Sequence, residues 1–213
     1  MRKAIFAMMI FLLCLTSRAQ QEAGTWAVQV RLGMNVAGFT SYKFKNQTYS
    51  HNASADPRIG MHFGLEVERQ LTDVFGLAAG AQYSMQGDKE KAKVMGYNFG
   101  MTNKVDYINI PLLAKFYVSR RLALKAGLQP AFCVRKVYDD GIKLSKIGVH
   151  VRDFDLAIPV GIAYEFANPS RIGLTVEARW NMGLLKMAEG TDPDGDTPHN
   201  SVFQLSLGYR FSL

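Results

Sequence analysis

The chain is poor in cysteine. It has 213 residues and two cysteines, Cys14 and Cys133. Cys14 lies in an N-terminal segment expected to be removed, which leaves one thiol and excludes an internal disulfide. Small exported domains commonly rely on disulfides, so another device must hold this fold. Long apolar runs are also lacking. Outside the N-terminal segment no stretch approaches the roughly 18 apolar residues of a membrane-crossing helix, which excludes a helical span. A strong excess of one charge is absent too. Lys and Arg number 25 against 18 Asp and Glu, for a net charge of +7, which falls to +4 when Arg2, Lys3 and Arg18 are removed. The basic residues are dispersed, which argues against nucleic acid as a partner. The densest group, Lys89, Lys91 and Lys93, is interrupted by Glu90 and reads as a solvated loop.

What is present starts with an export signal. Arg2 and Lys3 form a positive start, Ala4 to Leu15 an apolar stretch, and Ser17-Arg18-Ala19 a small-x-small cleavage site. Twelve apolar residues are too few to span a bilayer as a helix. Leu13 is too bulky for a lipoprotein signal ending at Cys14. The expected organisation is a cleaved signal peptide over residues 1–19 and one barrel domain over 20–213.

The mature chain alternates between apolar and polar residues with a period of two, the signature of strands with one apolar face. Eight strands are predicted: 25–36, 59–69, 74–85, 106–118, 121–135, 152–166, 171–184 and 201–211. At 11 to 15 residues they are longer than ordinary strands and suit a tilted bilayer crossing. The connectors alternate in length, at 22, 4, 20, 2, 16, 4 and 16 residues. Long loops at one end and tight turns at the other are the arrangement of transmembrane barrels.

One parity carries the apolar residues: Val28, Val30, Leu32 and Met34 in the first strand, Met61, Phe63, Leu65 and Val67 in the second, Ile108, Ile110, Leu112 and Ala114 in the fourth. No charge is expected on this face. The other parity carries Arg31, His62, Glu66, Glu68, Lys115, Lys125, Asp153, Asp155, Glu165, Glu177, Arg179 and Arg210, interspersed with glycine. A soluble barrel would put the apolar face inside. Aromatics gathered at both strand ends, as in interfacial girdles, favour lipid outside. So do the glycines on the polar face and the strand lengths. The predicted fold is an all-β, eight-stranded, antiparallel up-and-down transmembrane barrel. Its interior polar network is expected to include Arg31, Glu66, Lys115, Asp155, Glu177, Arg179 and Arg210. Pro111, Pro130 and Pro159 fall within strands, where bulges are expected.

Four segments, in order, resemble a known family. Tyr107-Ile108-Asn109-Ile110-Pro111-Leu112-Leu113-Ala114-Lys115 is similar to a signature of the outer-membrane β-barrel "porin family" proteins common in Bacteroidetes, which include PorT-like proteins. Phe154 to Phe166, Arg179 to Leu184 and Val202 to Phe211 resemble the sixth, seventh and closing strands. The resemblance covers the mature chain. It implies location in the bacterial outer membrane, contact with outer-membrane lipid, and insertion by the barrel-assembly machinery through the last strand. PorT-like members imply a role in secretion. The expected function is therefore structural, surface-binding or accessory to secretion or assembly, with a protein partner engaged through the extracellular loops.

Other chemistry has weaker signals. Asp192, Asp194 and Asp196 resemble the start of a calcium loop, but the bidentate Glu that should follow is missing. An acidic surface turn is the default. Glu66, Glu68, Asp153, Asp155, Glu165 and Glu177 include possible acid–base pairs, although interior ion pairing accounts for them. His51, His150 and His199 flank the long loops without a nucleophile elbow or His-x-Ser pattern. No enzyme activity and no cofactor are expected. The alternatives are an outer-membrane hydrolase or acyltransferase acting on lipid or peptide, and a narrow channel for small solutes.

Overall fold

The computed structural model describes residues 23–39, 54–94, 97–139, 152–166, 172–186 and 199–213. The period-two segments form nine strands: β1 (Trp26–Phe39), β2 (Ser54–Gln70), β3 (Phe75–Val94), β4 (Tyr97–Asn109), β5 (Leu112–Tyr117), β6 (Leu122–Asp139), β7 (Phe154–Glu165), β8 (Ile172–Lys186) and β9 (His199–Ser212). All pairings are antiparallel. β1 pairs with both β2 and β9, which closes the ring. β4 and β5 lie end to end between β3 and β6. They are one stave, broken at Ile110-Pro111, so the barrel has eight staves.

The break has a local cause. Pro111 has no N–H to give the ladder, but its carbonyl accepts from Gly80 N at 3.0 Å, and Ile110 N donates to the Pro130 carbonyl at 2.8 Å. Pro130 and Pro159 sit inside continuous strands, in register with Leu156 and Asn181. The bulges expected at these two positions are therefore absent. Register shifts occur instead between Pro57 and His62, at Asp106/Tyr107, and between Met182 and Lys186.

At the turn end, Thr72 and Ser119 shape the connections. Thr72 Oγ1 accepts from Phe75 N at 3.1 Å and Ser119 Oγ from Leu122 N at 3.2 Å, which are side-chain mimics of a backbone turn.

Burial is inverted relative to a soluble domain. Leu32, Met61 and Phe63 are more than half exposed, while Arg31, Glu66 and Arg179 are at most 3% exposed. Buried polar side chains outnumber buried apolar ones about two to one. An apolar belt circling the whole molecule far exceeds the patches that soluble monomers expose. It is a surface made for lipid. Aromatic pairs mark its borders: Tyr164–Phe166 and Tyr209–Phe211 at the turn end, each with centroids 4.9 Å apart, and Phe132–Phe154 at 5.3 Å at the loop end.

The structure corrects three further expectations. Residues 86–105 are not a loop, because β3 runs on to Val94 and β4 begins at Tyr97, paired from Val94↔Tyr97 through Gln82↔Asn109. Asp153 is not interior: its side chain is 87% exposed and meets Lys136 at 2.5 Å. The lipid-facing parity is not free of charge, since it carries Arg69 and Asp106. Arg69 is exposed at a border of the belt, where the penalty for a charge falls to about 0–1 kcal/mol, whereas Asp106 is only 2% exposed and covered. Asp106 accepts from the Tyr83 hydroxyl at 2.8 Å and lies 3.7 Å from Arg135.

Candidate functional site

The lumen collects the sequence's charged residues into tiers. Each tier draws on several strands, and strand register fixes its height. Arg31 on β1 stands opposite Gly64 on β2 and Gly208 on β9. Its guanidinium therefore has glycines on both sides and extends into the barrel.

The middle tier surrounds two carboxylates with three cations. Arg31 donates to Glu66 Oε2 at 2.7 Å and to Glu177 Oε1 at 2.9 Å. Arg179 donates to Glu177 Oε1 at 2.6 Å and to Glu66 Oε2 at 3.1 Å. Lys125 binds Glu66 Oε1 and stands 3.1 Å from Glu177 Oε2. All five side chains are at most 3% exposed. The lower tier, toward the turns, is built the same way. Lys115 Nζ donates to both Glu68 oxygens, at 2.9 and 2.8 Å, and to Glu165 at 2.8 Å. Tyr117 donates to Glu165 at 2.8 Å and Arg210 to Glu68 at 3.1 Å. Buried ions are tolerable only when paired and hydrogen-bonded, and removing one partner typically costs about 3–5 kcal/mol.

Asp155 is buried but stands apart from this network. It accepts from its neighbour Leu156 N at 2.8 Å and from Asn200 at 3.4 Å, near the loop end. Between Asp155 and the ion pairs the lumen is lined by Asn35, Gln82, Ser84, Gln86, Asn109, Gln129, Asn181 and Gln204, all buried and uncharged.

A serine–histidine–asparagine line runs along the boundary. Ser206 Oγ is 2.7 Å from His62 Nε2, and His62 Nδ1 is 2.6 Å from Asn35 Oδ1. The Asn35 oxygen can only accept, so Nδ1 donates and Nε2 is left to accept from Ser206. This is the nucleophile, base and orienter arrangement of acyl-transfer enzymes. Period-two alternation puts all three residues on the inner face but does not show that they meet. Register does: Gly33 pairs with His62 on one side and with Ser206 on the other. A Cβ on Gly33 would overlap the Leu205 carbonyl oxygen of β9 and lie 2.6 Å from His62 Cε1, so glycine lets both the neighbouring strand and the ring lie close across β1. All three residues are at most 1% exposed, and Arg31 donates to Ser206 Oγ at 3.1 Å. The line is sealed within the lumen, with its serine already engaged.

Of the remaining candidates, His199 opens β9. Asp192, Asp194, Asp196, His51 and His150 lie outside the described residues. Among the described residues no three His, Cys, Asp or Glu side chains converge to hold a metal ion.

A ring of strands closed on itself, apolar outside and ion-paired inside, defines a transmembrane β-barrel. Residues 18–189 match the family described as outer membrane protein beta-barrel domain, and the chain belongs to that family. It is a protein of the bacterial outer membrane. Among solved structures it is similar to the outer membrane protein OprG from Pseudomonas aeruginosa, at 13% identity over 91% of this chain and 98% of that one, with a TM-score of 0.49. It is also similar to Ail, the attachment invasion locus protein of Yersinia pestis, at 12% identity over 89% and 99% with a TM-score of 0.45. AlkL, solved in lipid bilayers, is 14% identical over 90% of each chain, again with a TM-score of 0.45. The likeness is one of fold. No curated protein sequence matches the chain.

Proposed function

We propose that this barrel is an occluded platform. It fixes a protein-binding surface at the cell exterior, in a structural role or one accessory to secretion or assembly, as the PorT-like resemblance implies. The observation that carries the reading is the ion-paired lumen. Five side chains at most 3% exposed fill the middle tier, and an eight-stranded barrel has an interior just wide enough for side chains. Solute would have to break several buried ion pairs to pass. The same strands project beyond the belt at the loop end. Nine residues of β3, from Gln86 to Val94, follow Met85, which is about 30 Å of strand. That hairpin is the part of the described surface best placed to meet a partner. Insertion by the barrel-assembly machinery through the closing strand, and a surrounding shell of outer-membrane lipid, belong to the same reading.

Two measurements test it. The purified protein is expected to be silent in planar bilayers, and steady unitary conductance would overturn occlusion. In intact cells, crosslinking is expected to capture a partner that is lost when residues 89–102 are replaced by Asn-Gly, while the barrel still folds. Capture that survives the replacement would move the binding surface elsewhere.

The Ser206–His62–Asn35 line is the one observation that favours an enzyme. Its burial opposes that reading, because no ester or amide reaches a serine that is 1% exposed. Ser206→Ala is expected to leave any lipase or esterase activity of the purified protein unchanged. Loss of such activity would favour the enzyme.

A further inference from the structure

The lipid-facing wall is uneven. At the turn end of β1, β2, β3 and β5 it holds a groove of about 460 Å³. The floor is Ala79 and Ala114, both exposed, and the rims are Trp26, Val67, Leu77 and Leu112. Register explains the shape. Ala79 lies between Val67 and Leu112, and Ala114 is paired with Leu77. Ala79 therefore sits between large residues on both neighbouring strands, while Ala114 has Leu77 on one side and the small Ala126 on the other, and the belt is notched here. At the end of the notch stands Arg69, opposite Trp26 and Leu77 in register. Its guanidinium lies 5.1 Å from the Trp26 ring centroid. Among the described residues no carboxylate pairs with it. It is the charge that the parity rule did not anticipate at this border.

We infer that this groove is a site for one phospholipid of the periplasmic leaflet, with an acyl chain lying over Ala79 and Ala114 and the phosphate on Arg69. Charge and position select this occupant. The turn end of such barrels faces the periplasm, so Arg69 stands at headgroup depth. A planar guanidinium with several donors is suited to a phosphate and can bind it bidentately. The Trp26 face holds the cation by a cation–π contact and leaves its outward edge free to donate. The notch below is almost wholly apolar and reaches toward the bilayer centre. A cation at headgroup depth above an acyl-sized furrow matches the two ends of a phospholipid. A second copy of this chain would instead have to bring an acidic group to Arg69 from its own apolar belt.

The test is native mass spectrometry of the folded protein in detergent, with folding checked by heat-modifiable migration. Phosphatidylglycerol and glycerol phosphate are supplied in separate experiments. The wild type is expected to retain one phosphatidylglycerol at collision energies that strip the rest, and to retain no glycerol phosphate. Arg69→Gln removes the cation and Ala79→Phe fills the floor. Each is expected to lower retention about tenfold, the scale of one strong contact. Arg69→Lys, which keeps the charge but loses the bidentate fork, should fall between Arg69→Gln and the wild type. Ile162→Phe, outward-facing on β7 across the ring from β2 and β3, serves as a control expected to match the wild type. Equal retention by wild type, R69Q and A79F would overturn the proposal. So would retention of glycerol phosphate alone, or a dimer of the wild type that A79F converts to monomer.

Discussion

The lumen is divided. Toward the turns it is a lattice of ion pairs, and toward the loops it is lined by carboxamides and hydroxyls. In the lower part Glu66 alone meets Arg31, Arg179 and Lys125. In the upper part neither the amide nitrogen nor the amide oxygen of Asn109 and Asn181 finds a hydrogen-bond partner among the described residues. The same parity rule produces both, so the rule does not distinguish them. What separates them is the cost of error. A buried charge must be paired or the fold fails, so each lower-tier position depends on several others. A neutral amide left short of a partner costs about 1–3 kcal/mol, and Asn109 and Asn181 stand on their own, unlike Asn35, which joins Ser84, His62 and Gln204.

This contrast can be tested by unfolding variants in urea from detergent or vesicles. Glu66→Gln should have the largest effect, a loss of about 3–5 kcal/mol, because Arg31 and Arg179 would be left with Glu177 and Lys125 with Glu177 and, at 3.4 Å, Glu68. A loss below about 1 kcal/mol would mean that the lower lattice is slack. Gly33→Ala, at the boundary, should cost about 1–3 kcal/mol or more through overpacking, since its Cβ would overlap the Leu205 backbone carbonyl as well as the His62 ring. A neutral result would show that β1 and β9 part at this point without loss. Asn181→Leu, in the upper part, should change stability by less than about 1 kcal/mol, because replacing an unpartnered amide with an apolar group of similar size removes a polar atom that has gone unsatisfied. A loss as large as that of Glu66→Gln would erase the distinction between the two parts.

Much of the architecture was legible from alternation. Leu32, Phe63 and Leu207 share the outer face and Arg31, Glu66 and Glu177 the inner one, as parity requires. Alternation depends, however, on the two faces meeting different media. Over residues 86–105 the sequence does not alternate between apolar and polar residues in this way, so the segment reads as a loop although its strands pair as a hairpin. Parity also carries no register. The contact of His62 with Ser206, and that of Gln29 with Thr175 beside Gly208, depend on which residues stand level across the ring. Arg69 and Asp106 escaped notice for a third reason. They lie at strand ends, where the lipid-facing parity is no longer bound to be apolar.

Closure of β1 on β9 has a consequence for the order of events during folding. Arg31 finds Glu177 at a separation of 146 residues and Ser206 at 175, and Gln204 finds Asn35 at 169. None of these contacts exists until the final strand docks. Until then the inner face lacks these partners, and an open sheet that entered the bilayer core would carry its polar side there only partly paired. The inner face therefore penalises early insertion. The chain is steered to close its ring where water can still reach the lumen, and the fourteen residues of the closing strand, His199–Ser212, decide when the rest becomes a membrane protein.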